Sequence, residues 1–305
     1  MYDLIIIGAG PAGITAAIYA ARRKIKFLII SLDVGGQTSW SSDVGNYPGL
    51  HFLSGGDLVK KFQEHMQDYN IRIKQAEVTN IQKKGKFLLV KTKKNIYQTK
   101  AILIASGKKP KKLEVPGEEE FLGKGVNYCA TCDAPLFKNK TVVVVGGGNS
   151  ALDASLFLSK YAKKIYLIDI NPKLGGEPVL KEKVLQNKKI THINNTKILE
   201  IAGSKVVTSL KYSRQGQEKI LKTDGVFIEI GLISKTSFAK IIKKNKWGEI
   251  MIFRSTITHR ENLTNIPGVF AAGDVTDIPT KQIVVAAGEG AKAAIASFDY
   301  INKFK

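Results

Sequence analysis

The chain is poor in the residues that would anchor several common architectures. It has two cysteines and four histidines in 305 residues. Two thiols cannot staple a disulfide-rich secreted scaffold. The histidines, His51, His65, His192 and His259, stand far apart. With one Cys pair they do not complete the four-ligand set of a structural zinc site, so no metal is expected and each His reads as a surface or packing residue. Arginine is also scarce: of 47 basic residues only six are Arg, and the lysines are scattered in pairs such as Lys60-Lys61 and Lys243-Lys244. Readers of nucleic acid favour clustered Arg with interleaved aromatics, so no nucleic-acid partner is expected. The net charge of +21 reads as a solvated lysine surface able to steer an acidic partner. A basic nucleic-acid binder stands as a rival from another class, and binding to DNA that survives ~0.2 M salt would favour it. No apolar run approaches the ~18 residues of a membrane helix, so no membrane partner is expected. Strand-like Tyr2–Ile7 leaves no room for a signal peptide, which predicts a cytoplasmic protein. Hydrophobic residues at 44% and charged residues at 24% suit a globular chain, and the length suits two domains.

What is present is an internal echo. Leu4-Ile5-Ile6-Ile7-Gly8-Ala9-Gly10-Pro11-Ala12-Gly13 precedes a helical segment to Arg23 and the apolar run Phe27–Ile30. Val142-Val143-Val144-Val145-Gly146-Gly147-Gly148-Asn149-Ser150-Ala151 precedes a helix to Tyr161 and the run Ile165–Ile168, 138 residues further on. Both are βαβ units with a glycine turn between strand and helix. The first glycine permits the turn, the second lets backbone approach a pyrophosphate, and a small third residue lets helix pack on strand. The helix N-terminus then offers free N–H groups to the phosphates. Two such sites predict an α/β fold with two Rossmann-like, three-layer dinucleotide-binding domains and a flavoprotein fed by a nicotinamide. Between the units, Glu77–Ile81, Phe87–Lys91 and Ile96–Ile104 read as strands of an inserted antiparallel sheet, and Lys108–Pro116 reads as a linker.

Both cysteines fall in Cys129-Ala130-Thr131-Cys132, followed by Asp133. A disulfide across two residues closes too small a loop to stabilise much, which leaves a redox pair. Pro135 suits a helix start whose dipole would lower a thiol pKa. Asp133 could move protons for the dithiol or cap the following turn, and the two roles are compatible.

With these residues in order the chain resembles the low-molecular-weight thioredoxin reductases along its whole length. Further elements of the likeness are Gly35-Gly36-Gln37, Asn46-Tyr47-Pro48-Gly49, Gly268-Val269-Phe270-Ala271-Ala272-Gly273-Asp274-Val275 and Lys281-Gln282-Ile283. The stretch from Lys281 also resembles the flavoprotein component of alkyl hydroperoxide reductase, a relative that uses NADH. The resemblance implies an FAD domain from residues 1–112 and 237–305, and an inserted NAD(P)H domain, 113–236, carrying the dithiol. It implies FAD contacts at Gly8, Gly10, Pro11, Ala12, Gly13, Gly35, Gly36, Gln37, Asn46, Val78, Ala105, Gly107, Gly273, Asp274, Lys281, Gln282 and Ile283. Gly146, Gly148, Asn149, Ser150 and Asp169 would hold the nicotinamide cofactor. The family usually has Arg where Lys281 stands, Thr where Ser106 stands, and Gly where Ala134 stands. By the same likeness Cys129 attacks the partner, Cys132 meets the flavin, the nicotinamide domain rotates on linkers near Leu113–Pro116 and Gly231–Thr236, and the protein is a homodimer.

The departure that matters most lies after the run Ile165–Ile168. NADPH-using members carry a His-Arg-Arg segment there, whereas this chain has Asp169-Ile170-Asn171-Pro172-Lys173. Asp169 lies 23 residues after Gly146, near the ~20 at which an acid bonds the adenosine ribose; the equivalent position after Gly8 is Ser31. A carboxylate accepts a 2′-hydroxyl and repels a 2′-phosphate, and no Arg is near in sequence, so NADH is favoured, with NADPH open if Lys173 takes the phosphate. The predicted activity is a thioredoxin-disulfide reductase. The alternatives are a reductase of a peroxiredoxin- or glutaredoxin-like carrier, and a ferredoxin-fed flavin reductase with a vestigial nicotinamide site.

Overall fold

The computed structural model describes residues 1–41, 44–50, 53–253 and 261–304. The chain divides into two units, Met1–Lys109 with Ile233–Lys305, and Pro110–Leu232. Boundaries after residues 112 and 236 were the expectation; the crossings fall at Lys109/Pro110 and Leu232/Ile233.

In the first unit, β1 (Tyr2–Ile7), α1 (Pro11–Arg22) and β2 (Phe27–Ser31) form the first βαβ element. After them come α2 (Gly55–Asp68), β3 (Ile73–Gln75), β4 (Val78–Lys84), β5 (Phe87–Thr92) and β6 (Ile96–Ile104). The sheet order is β3-β2-β1-β6-β5-β4. Contrary to the expectation of a separate inserted sheet, β4 to β6 extend the sheet that β1 begins. The reason is β6 itself, whose second half, Ala101–Ile104, is wholly apolar and buried and runs parallel to β1. Its first half alternates and pairs antiparallel with β5. A strand buried on both faces belongs in the middle of a covered sheet, and β6 occupies that place.

The chain then passes through β7 (Lys108–Pro110), within the stretch expected to be a linker. The second unit carries β8 (Val126–Asn127), α3 (Ala130–Asp133), β9 (Thr141–Val145), α4 (Asn149–Leu158), β10 (Lys164–Ile168), α5 (Pro178–Gln186) and β11 (Ile190–Ile193). After these come β12 (Thr196–Gly203), β13 (Val207–Arg214), β14 (Gln217–Lys222) and β15 (Gly225–Ile228). The central sheet, ordered β11-β10-β9-β15-β8, is parallel throughout. One face packs against α3, α4 and α5 through Val142, Val144, Leu152, Leu158, Val184 and Phe227. The other is covered by the antiparallel β12-β13-β14 sheet through Val143, Val145, Ile198 and Leu210. The result is three layers.

β16 (Leu232–Ser234) pairs with β7 where the chain returns. β17 (Val269–Ala271) then adds parallel to Ile102–Ile104 of β6, and α6 (Ile283–Asn302) closes the first unit. Alternate residues of β1 bury in opposite directions. Leu4 and Ile6 face α1 and α6, while Ile5 and Ile7 join Ile81, Val90, Phe238 and Ile242 on the far side. Helix α6 buries mostly small residues, Ala286, Ala287, Gly290, Ala293, Ala294 and Ser297. It lies so close to α1 that a Cβ on Gly290 would overlap the Ala12 carbonyl.

Candidate functional site

The first unit builds one site around the β1–α1 turn. Gly8 has φ +107°, and a Cβ there would strike the Ala105 carbonyl, so the turn off β1 admits glycine alone. Gly13 is required by packing, since its Cβ would overlap the Gly8 carbonyl. Gly10 differs: its backbone is ordinary extended (φ −80°), and the nearest atom to an added Cβ is the Gly35 carbonyl oxygen at 3.9 Å. The protein's own packing gives no reason for glycine at Gly10. An approaching ligand does, and Pro11 opens α1 with no side chain capping its first N–H groups.

The other expected residues gather around this turn. Gly35 donates to the Ala9 carbonyl, and Gly36 lies against Gly10. Gln37 reaches the neighbourhood of Gly107, whose φ is +63°. Gly273 packs on Ala12 and on Ala286 of α6. Asn46 donates to the Gln282 side chain at 3.0 Å, at the residue that caps α6 before Ile283. Lys281 donates to the carbonyls of Thr276 and Asp274 and pairs with Glu249 at 3.3 Å, so the amine at the usual Arg position ties down the turn that carries Asp274. Glu249 is shared with Lys108 at 2.9 Å. Burial pushes the Asp274 carboxyl up and the Lys281 ammonium down. Ala105 supplies the carbonyl under Gly8, and Ser106 donates to the Lys235 carbonyl. Val78 begins β4 in the core below the sheet with Ile7 and Ile104.

In the second unit the same turn recurs between β9 and α4. Gly146 (φ +135°) has room for no Cβ beside the Glu229 carbonyl, while a Cβ on Gly148 would meet nothing within 4 Å. Asn149 accepts the Glu177 N–H at 2.7 Å and so holds the loop after β10 to the helix start. Asp169, just past β10, is 3% exposed. Its Oδ1 accepts from the Asn171 N–H and Nδ2, both at 3.1 Å, but its Oδ2, packed on Gly147, has no partner. A buried carboxylate oxygen without a donor is costly unless a ligand supplies one. The glycine turns, uncapped helix starts and free acceptor fit the pyrophosphates and a ribose hydroxyl of two dinucleotides.

Ser31, the first unit's counterpart of Asp169, instead accepts the Ala9 N–H at 3.2 Å. The sequence places no Arg near Asp169, but the fold corrects this in part. Arg214, at the end of β13, donates to Asn194 at 3.1 Å and acts electrostatically on His192, as Asp169 does; its Nε is buried and unpaired. Burial lowers the His192 pKa. Arg214 lies 45 residues beyond Asp169 and comes near His192 only through long-range sheet pairing, so no local pattern announces it. His65 packs tilted against Tyr69, ring centroids 5.8 Å apart, whereas His51 and His259 lie outside the described residues.

Cys129 and Cys132 are joined as a disulfide with Cα atoms 5.4 Å apart. Cys129 is half-buried and Cys132 exposed. The helix here starts at Ala130 with Cys129 as its N-cap, not after Pro135 as expected; Pro135 opens a separate 3-10 turn, Ala134–Phe137. The Cys132 N–H donates to Cys129 Sγ at 3.2 Å. Asp133 makes no capping hydrogen bond to that next turn, and burial raises its carboxyl pKa. Among the described residues no helix is long and apolar enough to cross a membrane.

Residues 2–290 match the pyridine nucleotide-disulphide oxidoreductase family. The F subunit of alkyl hydroperoxide reductase from Staphylococcus epidermidis is 35% identical over 98% of this chain. The match covers 59% of that relative, so the chain spans little more than half its length. Among solved structures, thioredoxin reductase of Lactococcus lactis superposes with TM-score 0.93 at 33% identity, covering 99% of this chain and 100% of that one. Thioredoxin reductase of T. acidophilum superposes with TM-score 0.90 at 38% identity, covering 100% and 99%.

Proposed function

Because the chain belongs to the pyridine nucleotide-disulphide oxidoreductase family, we propose that it is a thioredoxin-disulfide reductase that uses NADH in preference to NADPH. The turn residues of the first unit would hold FAD, and Gly146, Gly148, Asn149, Ser150 and Asp169 would hold the nicotinamide dinucleotide. When bound, the two cofactors supply a two-electron path from a hydride donor to a disulfide.

The chain's own residues account for the rest. Two electrons and two protons convert the Cys129–Cys132 bond to a dithiol. The N–H of Cys132, aimed at Cys129 Sγ, stabilises negative charge there, which supports Cys129 as the attacking thiolate. Its attack on a partner disulfide forms a mixed disulfide and releases one partner sulfur. Cys132 then attacks Cys129, the internal bond re-forms, and the partner leaves as a dithiol. Asp133, whose carboxyl pKa burial raises, lies beside this exchange and can pass a proton to the departing thiolate. The lysine-rich surface would draw an acidic thioredoxin-like partner, most strongly at low salt.

The observation that carries this reading is the disulfide set on a dinucleotide-binding unit in a chain that superposes along its length on thioredoxin reductases. The likeness to a component of alkyl hydroperoxide reductase supports, as a second reading, a peroxiredoxin-like partner. Anaerobic titration with NADH, NADPH and reduced ferredoxin, followed at the flavin band, tests the electron source. NADH should bleach the flavin at the lowest concentration, and thioredoxin disulfide should restore the colour. Cys132→Ser should bind flavin and lose disulfide reduction. Continued turnover by that variant would remove the dithiol from the mechanism.

A further inference from the structure

In the second unit β9 lies between β10 and β15, and the chain's parallel order reverses direction there. Ligands of open parallel sheets lie across the carboxyl ends of the strands at such a point. A dinucleotide with its ribose at Asp169, past β10, and its pyrophosphate on Gly146–Gly148 must extend its other half over the end of β15. The residue waiting there is Glu229. Its N–H donates to the Val145 carbonyl at 2.8 Å, its own carbonyl is what a Cβ on Gly146 would strike, and its carboxyl accepts the Ser150 hydroxyl in the first turn of α4.

We propose that Glu229 faces the nicotinamide end of the bound cofactor and distinguishes its two redox forms, accepting the uncharged dihydronicotinamide as a neutral acid and favouring the pyridinium of NAD⁺ as a carboxylate. This rests on the dinucleotide site assigned above. The event is a proton equilibrium: when NAD⁺ binds, the Glu229 carboxyl releases one proton to solvent and no electrons move. Burial pushes the Glu229 carboxyl up to about 7, against the Ser150 hydrogen bond, which pulls it down, while Asp153 pushes it further up. The surrounding charges are few. Strands β8 and β9 and the glycine turn bring no titratable side chain, and α4 brings Asp153 alone. Tyr128, after β8, is committed to Glu118. On β13, Lys211 pairs with Glu218 and Arg214 with Asn194, and Tyr212 packs in the core. A carboxyl poised near neutrality with one acidic neighbour can therefore follow the charge of its ligand.

The test is equilibrium titration of the whole flavin-loaded, oxidised protein with NAD⁺ and with ADP-ribose, which has the same adenosine and pyrophosphate but no pyridinium. Between about pH 6 and about pH 8 the ratio of NAD⁺ to ADP-ribose affinity should climb about tenfold as the carboxyl ionises. In Glu229→Gln the ratio should stay flat, and in Ser150→Ala the climb should move to higher pH. A flat ratio in the native protein, or an unchanged climb in Glu229→Gln, overturns the role of Glu229. Failure of both ligands to bind would instead remove the dinucleotide site and the inference with it.

Discussion

Replacing Asp169 with Ala should narrow the preference for NADH over NADPH. In the native protein Oδ2 is buried and unpartnered, ready to accept a ribose hydroxyl. A hydrogen bond to an ionised acceptor contributes ~1.5–3 kcal/mol. At ~1.4 kcal/mol per decade, its loss lowers kcat/KM for NADH about 10- to 100-fold. For NADPH the sign reverses. A like-charge pair ~4 Å apart at an effective dielectric of ~20 costs ~4 kcal/mol. If solvent and counterions leave only ~1 kcal/mol of that, relief of repulsion still raises kcat/KM for NADPH about fivefold. The ratio should therefore shrink by roughly 50-fold or more by these terms. Arg214, unpaired at Nε and near enough to act on His192, should add to the NADPH gain, so Arg214→Ala in the same background should cancel part of it. Steady-state kcat/KM for both nucleotides at ~0.15 M salt, with circular dichroism to establish folding, makes the measurement. A folded variant with an unaltered ratio would show that another group selects the cofactor.

Two other outcomes follow from packing and burial. Gly290→Ala places a methyl against the Ala12 carbonyl, so α1 and α6 must part; stability should fall by ~1–3 kcal/mol and flavin retention should weaken, and an unchanged melting point with full flavin content would contradict the close crossing. Glu229→Gln should stabilise the protein at alkaline pH. The folded-state pKa of about 7 lies above the ordinary 4.5, so the folded chain binds more protons between these values and native stability declines as pH rises through that window. The difference corresponds to about 3 kcal/mol, present in full above pH ~7 and absent below pH ~4.5, and denaturant midpoints that move in parallel with pH for both proteins would refute it.

Much of this was legible in the residues because the signals are local. A strand, a glycine turn and a helix occupy some twenty consecutive positions, and the copy at Val142 repeats the order of the copy at Leu4. The two cysteines declare themselves by spacing. The misread β4–β6 sheet shows the limit: β6 is half alternating and half apolar, and only its long-range parallel partners β1 and β17 decide where it belongs. Arg214 and Glu229 escaped for a related reason. One reaches its neighbours through sheet pairing, and the other follows an apolar run that reads as nothing more than a strand. The start of the helix at Ala130 was missed because a cysteine at the cap position leaves none of the usual capping residues to see.

The contrast between Ser31 and Asp169 has a consequence for exchange rates. In the first copy the side chain at this position is spent on the loop beside it, through the Ala9 N–H, while α6 presses on Ala12 from above. In the second copy the same position keeps an acceptor vacant. Under the proposed assignment, one duplicated scaffold has become a lifelong berth for one nucleotide and a landing for another that must come and go at each turnover, and a single side chain marks which is which.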